Sequence, residues 1–282
     1  MGMIIDGKTI AEKYRKDIIK FTEEKKNNSL RVPCLATILV GEDGGSLSYA
    51  NNQKKLCEKL GLINRQIIVE SSVKEDKLIE IIEELNSDCN VDGIIVQLPL
   101  PGHINEKTVT SHISSKKDVD GLTDINTGKF YKGEDCFVPC TPQSILNLIK
   151  TTGCEIKGKH AVIVGRSNIV GKPAAQLLLN ENATVTICHS KTTDLKEVCK
   201  TADILVCALG KPNFITKEYI KEGAVVIDVG TSMVNGKLTG DICFDEVIDV
   251  AGFLTPVPGG VGALTTTMLI KNTCEAMIKN VC

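Results

Sequence analysis

The chain has 282 residues, of which 42% are hydrophobic and 24% are charged, and its formal net charge is −2. This length suits two domains, and the composition is typical of a soluble globular protein. The near-zero net charge gives no basic surface for nucleic acid, no apolar run is long enough to span a membrane, and the N-terminus does not form a signal peptide. We therefore expect a cytoplasmic protein that binds neither nucleic acid nor membranes.

Twelve cysteines and four histidines are spread along the chain. The cysteines form no C-x-x-C pair and the histidines are not clustered, so the sequence indicates neither a zinc site nor a disulfide framework. Without an export signal, cysteines such as Cys34, Cys57, Cys154, Cys207 and Cys274 are expected to be reduced and mostly buried thiols. We predict no metal site.

Strand and helix patterns alternate through the first half of the chain. In order, the patterns predict a helix at 10–27, a strand at 35–40, a helix at 46–60, a strand at 66–69, a helix at 74–86 and a strand at 93–98. The run Gly93–Leu98 is apolar until Gln97 and is closed by Pro99. Such a run is typical of a parallel strand that is buried on both faces.

The second half continues the alternation after a polar, glycine-rich loop. Thr141 is predicted to cap a helix that has Pro142 at its first position. Four strands follow, at Ala161–Val164, Thr184–Cys188, Ile204–Ala208 and Ala224–Val229. Asn235-Gly236 marks a hairpin turn, and a long helix is predicted from about Leu264 to Asn280. The pattern predicts an α/β fold with two α/β domains and a ligand cleft between them.

The segment Ala161–Pro173 leads from a strand through two glycines into a helix. This arrangement points backbone N–H groups and a helix N-terminus at an anion, as in a dinucleotide pyrophosphate site. The spacing from Gly165 to Gly171 is one residue too long for a P-loop, and Pro173 replaces the Ser/Thr that would hold magnesium. The segment is not a G-x-G-x-x-G motif either, so an ordinary turn between strand and helix stays open.

The end of the next strand bears on the choice of nucleotide. An NAD enzyme usually has an acidic residue there that binds the ribose 2′-hydroxyl. Here the strand ends in His189-Ser190-Lys191-Thr192, and no acid occurs before Asp194. A hydroxyl and a cation suit a 2′-phosphate, and Arg166 could add a second cation. We expect NADP rather than NAD, although Lys191 alone could be an ordinary surface lysine.

Polar residues in the first half could form the other wall of the cleft. Tyr49 and Gln53 are four residues apart on a predicted helix and share a face. Gln97 lies at the end of an apolar strand, where parallel sheets place ligands. Asp120 lies between two turn signals, and Leu254–Gly262 is too rich in proline and glycine for a regular element. Each also has a structural explanation: a packing aromatic, a capped strand end, a turn aspartate or a simple loop.

Six segments together carry a resemblance to a known family. They are Ser46-x-x-Tyr49, Val96-Gln-Leu-Pro-Leu-Pro101, Lys117-Asp-Val-Asp-Gly121, Pro139-Cys-Thr-Pro142, Gly165-Arg-Ser-Asn-Ile-Val-Gly-Lys-Pro173 and Pro256-Val-Pro-Gly-Gly-Val-Gly262. In this order, and over nearly the whole length, the chain resembles the methylenetetrahydrofolate dehydrogenase/cyclohydrolase family of one-carbon metabolism. The resemblance implies a homodimer whose active-site cleft lies between a folate-binding α/β domain (1–141, completed by the C-terminal helix 264–282) and a Rossmann-type, parallel-sheet NADP-binding domain (142–263).

The resemblance also implies roles for individual residues. Tyr49 would stack on the pterin, and Gln97 and Asp120 would bind and orient the tetrahydrofolate substrate. The implied folate contacts are Tyr49, Gln53, Gln97, Leu98, Pro99, Asp120, Pro258, Gly259, Gly260, Val261 and Gly262. The implied NADP contacts are Gly165, Arg166, Ser167, Ile169, Gly171, Ser190 and Thr231.

One position departs from the family pattern. Bifunctional members carry Tyr-x-x-x-Lys on this helix, whereas this chain has Tyr49-Ala-Asn-Asn-Gln53. Lys54 and Lys55 follow, but a helix turns them about 100° and about 200° away from position 53. Hydride transfer needs positioning more than acid–base chemistry, whereas hydrolysis of the methenyl bridge needs proton transfers that a lysine can supply and glutamine cannot.

These features predict an NADP-dependent methylenetetrahydrofolate dehydrogenase whose cyclohydrolase activity is absent or weak. The implied catalytic residues are Tyr49, Gln53, Gln97 and Asp120. Two alternatives stay open. The chain could be fully bifunctional, with Lys54 brought in by a helix distortion or with another base, or it could bind folate and NADP without turnover.

Overall fold

The computed structural model describes residues 1–41 and 44–280. Strands β1 to β11 are Met3–Ile4, Cys34–Val40, Ile63–Val69, Gly93–Val96, His160–Val164, Thr184–Cys188, Ile204–Cys207, Val225–Asp228, Ser232–Val234, Lys237–Thr239 and Phe253–Leu254. Helices α1 to α10 are Gly7–Asn27, Gly44–Lys59, Glu75–Ser87, Glu106–Ser111, Asp124–Lys132, Cys140–Thr151, Gly171–Asn180, Leu195–Cys199, Phe244–Val247 and Val261–Lys279. None of the helices within these described ranges has the length and apolar character of a membrane span.

The chain divides into two compact units. The six-stranded unit consists of Met1–Glu12 and Pro139–Met268, and the three-stranded unit consists of Lys13–Val138 and the described residues from Leu269 onward. The first twelve residues therefore group with the six-stranded unit, whereas the sequence placed them in the folate domain. The physical reason is that β1 pairs in parallel with β11, with Met3 opposite Phe253.

The three-stranded unit is built on a parallel sheet in the order β3-β2-β4. The central strand β2 is buried over almost its whole length, as expected for a strand covered on both faces. One face carries Ala36 and Ile38, which pack in a core with Ile94, Val96 and the apolar face of α3. Thr37 lies on the opposite face, because successive side chains of a strand alternate.

The six-stranded unit contains a parallel sheet in the order β1-β11-β8-β7-β5-β6. Strands β6 and β7 lie on opposite sides of β5, so the direction in which the chain builds the sheet reverses at β5. Open parallel sheets bind ligands beyond the carboxyl ends of the strands at such a reversal. The α/β fold with a Rossmann-type parallel sheet, as predicted, is therefore confirmed.

The hairpin predicted at Asn235-Gly236 is present between β9 and β10. Val234 pairs with Lys237 in an antiparallel register, and the two turn residues have φ angles of 49° and 76°. Two positive φ angles are the requirement of a type I′ turn, which asparagine followed by glycine meets at low cost.

Helix α6 corrects one predicted boundary. It begins at Cys140, and Pro139 occupies the N-cap position without a side-chain hydrogen bond. Thr141 is therefore inside the first turn and does not cap the helix. The sequence also did not predict the two-residue strands β1 and β11 or the short helices α4, α5, α8 and α9. These elements contain too few apolar residues to show a helical or strand periodicity.

The turn between β5 and α7 depends on two glycines. Gly165 has a φ of +141°, and a Cβ there would lie 2.3 Å from the carbonyl oxygen of Ala208, which follows β7. A Cβ on Gly171, the first residue of α7, would lie 2.2 Å from the carbonyl oxygen of Gly165. Both contacts are with backbone atoms, so the backbones of this turn can approach this closely only without side chains.

We expect Gly171→Ala to lower the free energy of unfolding by about 2 kcal/mol, because an added methyl group cannot be accommodated without moving the backbone. The control is Gly128→Ala in α5, where a Cβ would meet nothing within 4 Å. This control should stabilise the protein by about 0.5–1 kcal/mol through helix propensity. Urea unfolding of the two variants measures both values, and equal effects would contradict the steric argument.

A buried ion pair fixes the start of the three-stranded sheet. The two terminal nitrogens of Arg31 donate to the two carboxylate oxygens of Asp92 at 2.7 and 2.8 Å, and the Cys34 N–H donates to Asp92 at 2.9 Å. The Asp92 side chain is 1% exposed and that of Arg31 is 36% exposed. The pair thus connects the residues that precede β2 with those that precede β4.

Replacing Arg31 by Met should leave the Asp92 carboxylate buried with too few donors. We expect a loss of about 2 kcal/mol in the free energy of unfolding, below the full cost of breaking a buried pair because Arg31 is partly solvated. The control is Arg65→Met, whose partner Asp88 lies in an exposed pair at 2.9 Å. That variant should lose less than about 1 kcal/mol. If urea unfolding gives the same loss of free energy for both variants, burial of the Asp92 carboxylate does not add to the cost of breaking the pair.

Candidate functional site

Helix α2 carries Tyr49 and Gln53 one turn apart in the three-stranded unit. Tyr49 is 42% exposed, so its ring is accessible for stacking, whereas Gln53 is fully buried. Lys54 is half-buried and Lys55 is exposed, whereas Gln53 is the buried member of the three. The lysines thus stay at the positions around the helix axis that the regular helical register gives them.

Gln53 contacts the central strand of the sheet through its side-chain amide. The Thr37 hydroxyl in β2 donates to Gln53 Oε1 at 3.0 Å, and the same hydroxyl accepts from Asn64 Nδ2 at 3.0 Å. Gln53 Nε2 is buried and has no acceptor among the described residues. Sequence reasoning missed Thr37 and Asn64, since only the strand register brings them beside Gln53.

Gln97 directly follows β4. This strand ends at Val96, two residues earlier than the predicted end at Leu98. Its N–H donates to the Ile38 carbonyl at 2.9 Å and continues the hydrogen bonding of the sheet. Gln97 Nε2 is also buried without an acceptor in the described part of the chain. The Leu98–Pro99 peptide bond is cis, and Leu98 is 39% exposed.

Asp120 lies in a loop that a neighbouring carboxylate organises. The buried Asp118 accepts from the N–H groups of Leu122 at 3.1 Å and Thr123 at 2.8 Å, and from Asn126 Nδ2 at 2.8 Å. Asp120 and Leu98 line one small pocket together with apolar side chains of β4 and the adjoining loop. The structure therefore brings Asp120 beside the segment that follows β4. The role of Asp118 was not predicted, although it stands in the same sequence motif.

The second group of predicted residues lies in the six-stranded unit. The loop after β11 contains a cis Val257–Pro258 bond and Gly259 with a φ of +116°, and Val261 and Gly262 form the first turn of α10. A Cβ on Gly7 would lie 2.1 Å from the Gly260 carbonyl oxygen, so this loop packs tightly on the start of α1. A Cβ on Gly260 would lie 2.6 Å from the Pro256 carbonyl oxygen, so this glycine serves close backbone packing, whereas a Cβ on Gly262 would meet nothing within 4 Å.

The glycine turn after β5 presents several exposed groups. Arg166, Ser167 and Ile169 are exposed, and the Ser167 hydroxyl accepts from the N–H groups of Val170 at 3.2 Å and Gly171 at 3.3 Å. The serine therefore orders the residues that lead into α7. The N-terminus of a helix such as α7 offers backbone N–H donors to an anion.

Ser190 and Thr231 follow β6 and β8, and both are exposed. The turn that holds Ser190 is closed by a hydrogen bond from the His189 N–H to Thr192 Oγ1 at 2.8 Å. Because the strands are parallel, Ser190, Thr231, the glycine turn and the loop 258–262 all emerge at the carboxyl edge of the sheet. The structure thus brings the predicted residues of this unit to one edge.

Two buried carboxylates support this edge and were missed by sequence reasoning. Asp241 accepts from the N–H groups of Leu209, Gly210 and Lys211 after β7, at 2.6, 3.1 and 2.7 Å. Asp228, at the end of β8, accepts from the N–H groups of Gly230, Asp241 and Ile242 at 2.9, 2.9 and 3.0 Å. Burial raises the pKa of Asp228 to about 6, although the backbone donors oppose that shift. For Asp228, the available signal was an acid at the end of an apolar strand.

Most cysteines in the described part of the chain are buried packing residues, although Cys154 is only half-buried and Cys89 is exposed. Cys34, Cys57, Cys207 and Cys274 are buried thiols without disulfides. Burial raises the pKa of Cys34 to about 11 and that of Cys57 to about 12, so these thiols are poor nucleophiles. Within residues 1–41 and 44–280, no group of three or more His, Cys, Asp or Glu side chains is placed to hold a metal ion.

Two family models match the chain and together cover most of it. Residues 5–120 match the catalytic domain of tetrahydrofolate dehydrogenase/cyclohydrolase, and residues 139–281 match the NAD(P)-binding domain of the same enzymes. A relative from Clostridium acetobutylicum, named bifunctional protein FolD, is 61% identical over 277 residues, which cover 98% of this chain and 100% of the relative.

Solved structures agree in fold over the whole length. The bifunctional FolD methylenetetrahydrofolate dehydrogenase/cyclohydrolase from Campylobacter jejuni is 38% identical, covers 100% of both chains and gives a TM-score of 0.97. The methylenetetrahydrofolate dehydrogenase-cyclohydrolase from Trypanosoma brucei, solved with NADP and an inhibitor, is 37% identical, covers 99% of this chain and 98% of its own, and gives a TM-score of 0.93. This chain therefore belongs to the tetrahydrofolate dehydrogenase/cyclohydrolase family.

Proposed function

We propose that this chain oxidises 5,10-methylenetetrahydrofolate to 5,10-methenyltetrahydrofolate with NADP, and that it hydrolyses the product to 10-formyltetrahydrofolate. The observation that carries the proposal is the match of both domains to the family together with relatives named as bifunctional enzymes. These names favour the bifunctional alternative over the expectation that cyclohydrolase activity is absent or weak. We also propose a homodimer in the cytoplasm, as the family resemblance implies.

Residues of the six-stranded unit fit NADP. The glycine turn supplies backbone donors at the start of α7, and Arg166 and Ser190 are exposed at the carboxyl edge of the sheet. No acidic residue stands between β6 and Asp194, so nothing there repels a 2′-phosphate. We propose Gly165, Arg166, Ser167, Ile169, Gly171, Ser190 and Thr231 as the residues that hold the cofactor.

The first step needs precise placement rather than acid–base chemistry. Bound NADP supplies the acceptor for the hydride that leaves the methylene carbon. The cation that remains on the folate is stabilised by its own two nitrogens, so the chain's task is to hold the ring in position. We propose that Tyr49 stacks on the pterin and that Gln97 and Asp120 orient it. The further folate contacts proposed are Gln53, Leu98, Pro99, Pro258, Gly259, Gly260, Val261 and Gly262.

Gln53 favours a second candidate function, a dehydrogenase without effective hydrolysis. Hydrolysis adds water to the methenyl carbon, breaks a carbon–nitrogen bond of the bridge and releases a proton. A general acid–base group accelerates such proton transfers by about 10²–10⁴-fold. Gln53 is fully buried and its amide does not titrate, so position 53 itself supplies only hydrogen bonds. The bifunctional proposal therefore needs another group for proton transfer.

The cofactor proposal predicts at least a tenfold preference for NADP over NAD in kcat/KM, since one charge-assisted hydrogen bond contributes about 1.5–3 kcal/mol. Arg166→Ala or Ser190→Ala should narrow this preference and leave NAD turnover largely intact. Lys157→Ala is the control, because this exposed cation precedes β5 and lies at the opposite edge of the sheet. Equal use of the two cofactors by the parent protein would refute the assignment.

A paired assay on one sample distinguishes the two candidate functions. NADPH formation reports the dehydrogenase, and the decay of added methenyltetrahydrofolate reports the hydrolysis. The bifunctional proposal expects faster decay with the protein than in buffer, whereas a dehydrogenase alone gives the buffer rate.

If the protein is a dehydrogenase without effective hydrolysis, Gln53→Lys should accelerate the decay by about 10²-fold, because it supplies a titratable group at this position. Asn52→Lys is the matched control: it adds the same charge one residue earlier on the exposed side of α2. If Asn52→Lys accelerates the decay as much as Gln53→Lys, the effect comes from charge and not from position.

A further inference from the structure

A series of hydrogen bonds, part-buried at Asn64 and buried at Thr37, runs from the sheet backbone to Gln53. Asn64 Nδ2 donates to the Leu35 carbonyl at 3.3 Å and to the Thr37 hydroxyl at 3.0 Å. The Thr37 hydroxyl in turn donates to Gln53 Oε1 at 3.0 Å. Thr37 and Gln53 are both fully buried, so bulk water does not compete for the hydrogen bond between them.

The donor and acceptor roles in this series of hydrogen bonds are fixed by the bond to the Leu35 carbonyl. The Leu35 carbonyl can only accept, so Asn64 must turn its amino group toward it. The second N–H of that amino group then reaches Thr37, and the single hydroxyl hydrogen of Thr37 is left to donate onward. Gln53 must therefore present its carbonyl oxygen to Thr37, which leaves its amino group as the end of the amide that a ligand can meet.

A second amide donor lies on the same side of the sheet. Thr37 pairs with Ile95 of β4, and Gln97 follows two residues later, so both side chains project from the face that α2 covers. The Nε2 atoms of Gln53 and Gln97 are buried, and neither has an acceptor within the described residues. Gln66 of β3, which pairs with Thr37, adds a third such Nε2 atom on this face. A buried donor without an acceptor is costly, and three on one face indicate a ligand with acceptor atoms.

We propose that Thr37 is a positioning residue for the folate substrate, which acts by fixing the Gln53 amide with its amino group toward the ligand. The group that Gln53 meets is then an acceptor, either a carbonyl oxygen or a nitrogen lone pair of the tetrahydrofolate. This inference rests on the proposed function, because it assumes that tetrahydrofolate is the ligand of this unit. It assigns Thr37 no direct contact with the substrate.

The test removes the hydroxyl and keeps the shape of the side chain. Thr37→Val should raise the KM for methylenetetrahydrofolate about tenfold, with kcat within about threefold and the KM for NADP unchanged. Thr37→Ser retains the hydroxyl and should stay within about twofold of the parent. Thr273→Val is the matched control, since it removes another fully buried hydroxyl, which donates only to the Leu269 carbonyl one turn back in α10 at 2.9 Å.

A double-mutant cycle separates positioning from a general structural role. In a Gln53→Met background, Thr37→Val should change the folate KM by less than about twofold, because the hydroxyl has no amide left to orient. A tenfold rise in both backgrounds, or no rise in the parent background, would overturn the inference. Thr37→Ala provides the same hydroxyl deletion if thermal unfolding shows that Thr37→Val does not fold. Failure of the parent protein to oxidise methylenetetrahydrofolate would instead overturn the proposed function.

Discussion

Parallel strand pairing is the constraint on which the placement of the functional residues depends. Parallel neighbours require a crossover after every strand, so each connecting loop leaves the sheet at the same edge. In the six-stranded unit, this brings residues as distant in sequence as Gly165 and Gly262 to one edge. In the three-stranded unit, it places Gln97 beyond the end of a buried strand while its backbone remains hydrogen-bonded to the neighbouring strand. In both units, buried strands thus fix the positions of the loops that carry the proposed functional residues.

The backbone N–H groups of loops at such an edge need acceptors outside the sheet. In this chain, buried carboxylates accept their hydrogen bonds. Asp118, Asp228 and Asp241 each accept hydrogen bonds from two or more loop N–H groups. A loop that lacks the partners of a regular sheet would otherwise bury unpaired donors. The raised pKa of Asp228 shows that burial of the charge opposes this arrangement even where three donors face it. The loop N–H groups are therefore paired at the electrostatic cost of burying a carboxylate.

The sequence predicted the long elements well, because apolar periodicity is a local signal. Strand β6 has its predicted bounds, and helix α10 begins three residues before its prediction. The two-residue strands β1 and β11 could not be predicted, since their pairing joins residues 250 positions apart. The contact of Gln53 with Thr37 and Asn64 also depends on strand register, which periodicity does not set. The identity of residue 53 was readable, whereas the direction of its amide required the fold.

The pairing of β1 with β11 has a consequence for how the chain folds during synthesis. The first strand is made at residue 3, but its partner at residue 253 exists only when nearly the whole chain has emerged. The three-stranded unit likewise receives its last segment after Met268. Neither unit can be completed by an N-terminal fragment, so the chain cannot finish one domain and then the next, as consecutive domains do on a ribosome. Each unit instead lacks part of its fold until the C-terminal helix has left the ribosome, so both units are completed late in synthesis.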